Sequence, residues 1–274
     1  MGIINISGYA FTPLNQLDDL KVKLKDFCNE LALKGSILLS EEGINVFLAG
    51  PAEAITDFHA ALPRFGLPLI EFKKSVSETV PFKKLLVRVK PEIITTRRLD
   101  ITPQSHPAPY LAPKALKAWL DEGKEVILLD TRNDYEVHLG KFASAMDCNI
   151  KSFHEFPEAI EQLDPKLKKK PIVTYCTGGI RCEKAAPILI EAGFEEVYQL
   201  EGGILNYFET CEDAHFEGEC FVFDKRIAVD AQLAETETVQ CFACRMPVTP
   251  EWQSSEKYII GESCPFCFKE LTPQ

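Results

Sequence analysis

A cysteine loop is the part of this sequence best suited to chemistry. Cys176 follows an apolar, strand-like run at 172–175 and precedes a helix-like run. Four residues separate it from Arg181, namely Thr177, Gly178, Gly179 and Ile180. Backbone N–H groups of such a loop and the positive end of the following helix stabilise an anion. The thiolate is the reactive form of cysteine, so the pattern predicts that Cys176 is a nucleophile with a lowered pKa.

Alternatives remain open within this loop. Cys176 could instead be a buried structural cysteine at the end of a strand. Arg181 either binds a substrate anion or braces the loop. Cys182 either receives a persulfide from Cys176 or is a small buried residue in the first helical turn.

Two CxxC pairs form a second candidate site. Cys241 and Cys244 are separated by 19 residues from Cys264 and Cys267. Two thiolates three positions apart can bind one metal ion, and two such pairs complete a tetrahedral site with the spacing typical of zinc. Four thiolates leave no open coordination position, so the pattern predicts a structural zinc ion. Redox-active CxxC pairs are the alternative.

A third pattern involves His215 and Glu217, which match two ligands of an iron facial triad. The whole chain contains only 5 histidines, which disfavours this interpretation.

Composition excludes several classes of protein. Of 274 residues, 46% are hydrophobic and 26% are charged, as is usual for a globular chain. No apolar run approaches the roughly 18 residues of a membrane helix, so no membrane association is expected. The N-terminus lacks the basic region of a secretory signal, which predicts a cytoplasmic protein whose 10 cysteines bind metal or react rather than form disulfides.

Charge is distributed unevenly along the chain. The net charge of −11 argues against binding nucleic acid through bulk electrostatics. Residues 73–98 are the exception, because eight basic side chains stand there against Glu78 and Glu92. The eight are Lys73, Lys74, Lys83, Lys84, Arg88, Lys90, Arg97 and Arg98. This stretch is the predicted docking site for a polyanion, and a solvated face is the alternative.

The elements that must position these residues divide into three parts. Residues 1–97 are predicted to form a ferredoxin-like (acylphosphatase-like) domain in the order β-α-β-β-α-β. The expected strands are 3–6, 36–39, 44–48, 67–72 and 85–89, and the expected helices are 17–31 and 51–62. A proline-containing linker follows at 98–110.

Residues 111–210 alternate short apolar strands with helices, which predicts a parallel sheet with its ligand site at the carboxyl ends of the strands. The remaining residues, 211–274, are rich in cysteine and polar side chains and are predicted to form the zinc-binding segment. The expected fold class is therefore α/β combined with α+β.

The central part resembles rhodanese domains, whose active-site loop has the same Cys, four residues, Arg arrangement. The run Leu128-Leu-Asp-Thr-Arg132 followed by Glu136, and the run Leu200-Glu-Gly-Gly-Ile204, resemble the first strand and the closing motif of that domain. Cysteine phosphatases have five residues in the loop. The shorter loop here makes a smaller bowl, which suits sulfur better than phosphate.

The whole chain resembles the bacterial tRNA uridine(34) hydroxylase family, whose members contain a rhodanese domain. Besides the cysteine loop, the resemblance rests on the runs Ser40-Glu-Glu-Gly-Ile-Asn45 and Gly218-Glu-Cys-Phe-Val-Phe-Asp224 and on the CxxC tail. It implies oxygen-dependent 5-hydroxylation of the wobble uridine of tRNA, with molecular oxygen as co-substrate and Cys176 as the active cysteine. It gives no reason to expect an obligate protein partner.

Two other functions stay open at this point. One is sulfur transfer through a persulfide on Cys176, although the loop has no Lys or Arg before Arg181 to attract a small dianionic donor. The other is a non-catalytic RNA-binding protein. The sequence contains no flavin, haem or nicotinamide motif that would explain oxygen activation. For tRNA, the expected contacts are Lys73, Lys74, Lys83, Lys84, Arg88, Arg97 and Arg98.

Overall fold

The computed structural model describes residues 2–269. Its N-terminal unit consists of β1 (Ile3–Phe11), α1 (Leu17–Glu30), β2 (Lys34–Ser40), β3 (Gly43–Gly50), α2 (Ala52–Ala61), β4 (Lys73–Ser77) and β5 (Leu85–Val89). The sheet order is β4-β1-β3-β2-β5, with β5 parallel to β2 and the other neighbours antiparallel. The predicted β-α-β-β-α-β arrangement is confirmed, and the further strand predicted at 85–89 is β5, at one edge of the sheet.

The two faces of this sheet differ in polarity because side chains alternate along each strand. Ile6, Val46 and Leu39 belong to the buried face, which packs on α1 and α2. The opposite face presents Asn5 and Asn45, which lie on adjacent strands. No helix of the N-terminal unit covers this second face in the described structure, so it is free to form one wall of a cleft.

The strand predicted at 67–72 is wrong, and the observed strand β4 begins at Lys73. Pro68 has no N–H group to donate to a neighbouring strand, which disfavours a ladder through this run. Leu67 and Ile70 are instead buried anchors in the core between α2 and β4.

The central unit is confirmed as a parallel sheet covered by helices. Its elements are β6 (Tyr110–Leu111), α3 (Pro113–Asp121), β7 (Ile127–Asp130), α4 (Asp134–Leu139), β8 (Gly140–Phe142), β9 (Met146–Asp147), α5 (Phe156–Glu161), β10 (Ile172–Tyr175), α6 (Cys182–Glu191), β11 (Val197–Leu200) and α7 (Gly203–Cys211). The order β6-β11-β10-β7-β9 is parallel throughout. Cys176 directly follows the central strand β10, at the carboxyl edge where ligands bind such sheets.

The C-terminal segment has short elements: β12 (Phe216–Gly218), β13 (Cys220–Phe221), β14 (Ala228–Val229), β15 (Val239–Gln240), β16 (Pro247–Val248) and α8 (Pro250–Gln253). It is anchored to the N-terminal unit through Arg226, whose Nη1 donates to Ser75 Oγ at 2.7 Å, and through the Lys225 N–H, which donates to the Pro81 carbonyl. In residues 2–269, no helix has the length and apolar character needed to cross a bilayer.

Candidate active site

A cleft of about 510 Å³ lies between the polar face of the N-terminal sheet and the cysteine loop. This volume lies within the range of roughly 300–1,000 Å³ typical of small-molecule sites. The N-terminal sheet contributes Asn5, Ser7, Tyr9, Asn45 and Phe47, the loop contributes Cys176, Thr177, Gly178, Ile180 and Arg181, and the C-terminal segment contributes Val222, Phe223 and Asp224. All three parts of the chain therefore build one site.

Cys176 lies at the cleft, and its sulfur accepts hydrogen bonds that favour the thiolate form. Its Sγ accepts a hydrogen bond from the Gly179 N–H at 3.1 Å. Burial opposes ionisation, but the Cys182 thiol, the Arg181 charge and the amides of Arg181 and Gly179 outweigh it and lower the pKa of Cys176 to about 6. For contrast, burial alone raises the pKa of Cys28 to about 12. Cys176 is therefore mainly a thiolate at neutral pH.

Cys182 occupies the first turn of α6 and is fully buried. Burial and the neighbouring Cys176 raise its pKa well above that of a free thiol. Cys182 consequently stays protonated and acts as a hydrogen-bond donor toward the Cys176 thiolate.

Arg181 is held by a buried carboxylate. Its Nη1 and Nη2 donate to the two oxygens of Glu136 at 2.6 and 2.7 Å, and the Thr177 hydroxyl donates to the same carboxylate at 3.3 Å. Both side chains of the ion pair are almost inaccessible to water. Since both terminal nitrogens of the guanidinium are engaged by Glu136, this geometry favours the bracing role of Arg181 over direct capture of a substrate anion.

Glu136 was not among the predicted site residues. It is the N3 residue of α4, where its Oε2 accepts the N–H of Asn133 at 3.1 Å and completes a capping box. The Asn-x-x-Glu spacing is a recognisable signal in the sequence. That signal places Glu136 at a helix start but does not show that it also faces Arg181.

Two tyrosines converge on Glu183 behind the loop. Tyr9 donates to Glu183 Oε1 at 2.8 Å, and Tyr110 donates to the same oxygen at 2.9 Å. Burial raises the pKa of Glu183 in spite of these two donors, and burial together with Glu183 raises the pKa of Tyr9 strongly. Tyr9 therefore presents a neutral, fixed hydroxyl group to the cleft.

Lys184 links α6 to the N-terminal unit. This fully buried ammonium lies 2.8 Å from Glu42 and 2.7 Å from Glu92. Glu42 follows β2 at the hairpin turn, so the contact connects that turn with the helix of the cysteine loop. Together with the bond between Tyr9 and Glu183, it fixes the two walls of the cleft relative to each other.

The structure distributes the basic stretch over several places. Lys73, Lys74 and Lys90 line the cleft, whereas Lys83 lines a neighbouring cavity. Lys84, Arg88 and Arg97 are exposed. Arg98 is engaged by Asp100 at 2.6 Å and Glu191 at 2.9 Å. Lys73 and Lys74 begin β4 and Lys90 follows β5, so the cations that line the cleft come from opposite edges of the sheet.

The four tail cysteines lie together. Their sulfur atoms are all within 4.8 Å of one another, with separations of 3.8 Å between Cys241 and Cys267 and 3.5 Å between Cys244 and Cys264. Zn–S bonds of about 2.3 Å in a tetrahedron place sulfur atoms about 3.8 Å apart. The group has the geometry to hold one metal ion.

His215 is not part of a comparable group. Its Nε2 contacts Asp121 at 2.7 Å on the surface. Within residues 2–269, the tail cysteines are the one set of three or more potential ligands close enough to share an ion. The facial-triad pattern of His215 and Glu217 thus finds no third ligand there.

Two family models match the two larger units of the chain. Residues 3–93 match the UPF0176 acylphosphatase-like domain, and residues 112–210 match the rhodanese-like domain. A solved rhodanese-like domain from Anabaena sp. is 27% identical and covers 40% of this chain and 79% of that chain, with a TM-score of 0.34.

Full-length relatives are more similar. A protein from Cupriavidus taiwanensis is 50% identical and covers 97% of both chains, and one from Burkholderia vietnamiensis is 47% identical and covers 97% of this chain and 98% of that one. Both are named tRNA uridine(34) hydroxylase. The resemblance inferred from the motifs is thereby confirmed, and the chain belongs to the tRNA uridine(34) hydroxylase family.

Proposed function

We propose that this protein is a cytoplasmic enzyme that hydroxylates uridine 34 of tRNA at C5, with molecular oxygen as co-substrate and Cys176 as the nucleophile. The full-length relatives named for this modification support the substrate. The single observation that carries the chemistry is the position of Cys176, whose Sγ accepts the Gly179 N–H at 3.1 Å beside a cleft large enough for a nucleotide.

The first step is the addition of the Cys176 thiolate to C6 of the uracil ring. The S–C6 bond forms as the C5=C6 double bond opens, and the electron pair moves onto C5 and the adjacent carbonyl. Tyr9 lines the same cleft, and because its one hydroxyl proton is donated to Glu183, its oxygen is left to accept a hydrogen bond from the substrate. Activation of C5 toward oxygen explains why a nucleophilic cysteine belongs in a hydroxylase.

The overall reaction requires two electrons besides those of uridine. One oxygen atom enters C5 as the hydroxyl group, and the other leaves as water, so a two-electron donor such as a pair of thiols is consumed and becomes a disulfide. Release of the Cys176 thiolate and loss of the C5 proton then restore the C5=C6 bond. The Cys176 thiolate is thus regenerated at the end of a cycle, whereas the two donor thiols end as the disulfide.

The tRNA backbone is bound at the mouth of the cleft. Lys73, Lys74 and Lys90 line this opening and form no ion pair in the described structure. Each phosphate that such side chains neutralise strengthens binding and makes it more sensitive to salt. Lys83, Lys84, Arg88 and Arg97 add exposed positive charge outside the cleft, whereas Arg98 is already paired with Asp100 and Glu191. This division of labour assigns residues 1–97 to RNA binding, 98–110 to a linker, 111–210 to catalysis and 211–274 to a zinc-stabilised segment.

Zinc is the metal that fits the tail cysteines. A closed set of thiolates from Cys241, Cys244, Cys264 and Cys267 binds zinc for structural purposes and leaves no position for substrate. Its contribution is to fold the segment whose preceding part, Val222 to Asp224, lines the cleft.

Sulfur transfer is the second candidate function, because the rhodanese-like domain and the ionised Cys176 suit a cysteine persulfide equally well. Arg181, the cation nearest to the sulfur in the loop, is engaged by Glu136 and is not free to bind a dianionic donor. Analysis of the product on tRNA distinguishes the two functions.

The test is mass spectrometry of tRNA nucleosides from a strain that lacks the protein. The account expects loss of 5-hydroxyuridine and its return when the wild-type chain is supplied. Loss of a thiolated nucleoside, with 5-hydroxyuridine unchanged, would establish sulfur transfer instead.

A further inference from the structure

A second cavity of about 680 Å³ adjoins the cleft. The two cavities share Phe82 and the residues from Val222 to Asp224. The second cavity is also bounded by the Pro81–Lys83 turn of the N-terminal unit, by α4 and by the loop of the first CxxC pair. Neither Cys176 nor its hydrogen-bond partners line this cavity, so the cavity does not take part in ionising the thiol.

The wall of this second cavity combines aromatic rings with free cations. Tyr135 and Phe221 are in edge contact at 5.1 Å, and Phe221 and Phe223 at 5.2 Å. Lys83, Lys225 and Arg245 are exposed around these rings, and none forms an ion pair within residues 2–269.

Asp224, the acidic side chain in this wall, forms an ion pair that neutralises its charge. Asp224 is held by the guanidinium of Arg226 at 2.5 Å. Aromatic faces surrounded by unpaired cations are the features that bind single-stranded nucleic acid, because bases stack on the rings and phosphates pair with the cations.

Phe223 separates the two cavities. Its ring centroid lies 5.8 Å from the Arg181 guanidinium carbon on the cleft side and 5.2 Å from the ring of Phe221 on the other. Its side chain is 46% exposed, which is unusual for a phenylalanine at the centre of a site. The ring therefore contributes to the walls of both cavities.

We infer that the second cavity is a subsite for the nucleotide that adjoins the target uridine in the anticodon loop. The base stacks on the accessible parts of Tyr135 and Phe223, which the buried ring of Phe221 supports from behind, and the phosphate between the two nucleotides pairs with Lys83, Lys225 or Arg245. This inference rests on the proposed function, because it assumes that the cleft holds uridine 34. It adds that the enzyme recognises two consecutive nucleotides across Phe223.

The test measures binding of fluorescent anticodon stem–loops to the full chain, so it does not depend on turnover. Three RNAs are compared: the intact stem–loop and two that have an abasic nucleotide at one or the other neighbour of uridine 34. Stacking of one base on an aromatic side chain corresponds to about 5- to 150-fold in affinity. We expect at least a five-fold loss for one of the abasic RNAs.

Protein variants locate that loss. Tyr135→Ala is expected to weaken binding of the intact RNA by a similar factor and to have little additional effect on the affected abasic RNA. Tyr135→Phe keeps the ring and is expected to bind normally. Leu69→Ala is the control, because Leu69 is an exposed apolar side chain, 65% accessible, that lies outside both cavities.

A second set of variants does not disturb packing. Lys83, Lys225 and Arg245 are exposed, so their combined replacement by Ala leaves the fold intact, and it is expected to reduce the salt dependence of binding by about one phosphate contact. Equal affinity for all three RNAs would overturn the subsite. So would a combined loss of affinity equal to the product of the losses caused by Tyr135→Ala and by the abasic nucleotide alone. Neither result would bear on uridine hydroxylation in cells. Absence of any binding to the stem–loop would overturn both.

Discussion

Replacement of Arg181 by Met has consequences that the site geometry specifies in detail. The substitution leaves the Glu136 carboxylate buried without its partner. Breaking a buried ion pair from one side costs about 3–5 kcal/mol of folding free energy. It also removes the positive charge that helps to lower the pKa of Cys176. The expected result is a less stable protein with a less acidic thiol.

The change in the thiol can be given a magnitude. With a pKa of about 6, Cys176 is about 90% thiolate at pH 7. One unit of pKa corresponds to about 1.4 kcal/mol of stabilisation of the thiolate. Loss of about that much stabilisation in Arg181→Met raises the pKa of Cys176 by about one unit and lowers the thiolate fraction at pH 7 to about 50%. Because the pKa rises, the pH dependence of alkylation moves upward, and the deficit is largest between pH 6 and 7, roughly.

A double variant separates stability from reactivity. Glu136→Gln in the Arg181→Met background removes the unpaired charge and keeps a carbonyl acceptor for the Asn133 N–H. Most of the stability is expected to return, because losing both partners of a buried pair costs far less than losing one. The thiol pKa is expected to stay raised, since the positive charge is still missing.

The assays are urea denaturation and the rate of iodoacetamide alkylation of Cys176 as a function of pH. The wild-type alkylation midpoint should lie near pH 6. An unchanged midpoint in Arg181→Met would refute the role of Arg181 in ionising the thiol. A double variant no more stable than Arg181→Met would refute the bracing role of the ion pair.

Three further outcomes are expected. Cys264→Ser should abolish zinc binding and unfold the tail while the two preceding units stay folded. The reason is that structural zinc contributes about 10–16 kcal/mol of apparent folding free energy in small peptides. Full zinc content by elemental analysis would contradict this prediction. Replacing Lys73, Lys74 and Lys90 by Glu should weaken tRNA binding at least about ten-fold and lower its salt dependence. Lys166→Glu should not, because Lys166 is exposed and lines neither cavity. Equal affinities would disprove the cleft-mouth contact. Cys182→Ser should keep substantial hydroxylation because a hydroxyl still donates to the thiolate, and complete loss in nucleoside analysis would point to a persulfide relay.

Local patterns in the sequence predicted much of the fold. Alternation and helical spacing identified the N-terminal order of elements and the parallel sheet, because both are set by which side chains face a core. The Cys176 loop and the CxxC pairs were recognisable for a different reason, namely that the donors of the loop and the ligands of each pair are close together in the chain.

Contacts between units were not predictable in this way. Glu183 and Lys184 occupy a helical turn where charged residues usually face solvent, yet both are buried against the N-terminal unit. The basic stretch at 73–98 is continuous in the sequence, but the sheet order sends its two ends to opposite edges. Only the packing of the units decides which of these side chains meet at the cleft.

The central claim is that the Cys176 thiolate performs hydroxylation. The most direct test is the 5-hydroxyuridine content of tRNA from cells whose only copy carries Cys176→Ser. Serine is nearly isosteric but un-ionised at neutral pH, so the account predicts a folded, tRNA-binding protein and no 5-hydroxyuridine. Wild-type levels of 5-hydroxyuridine in this strain would contradict the assignment of Cys176.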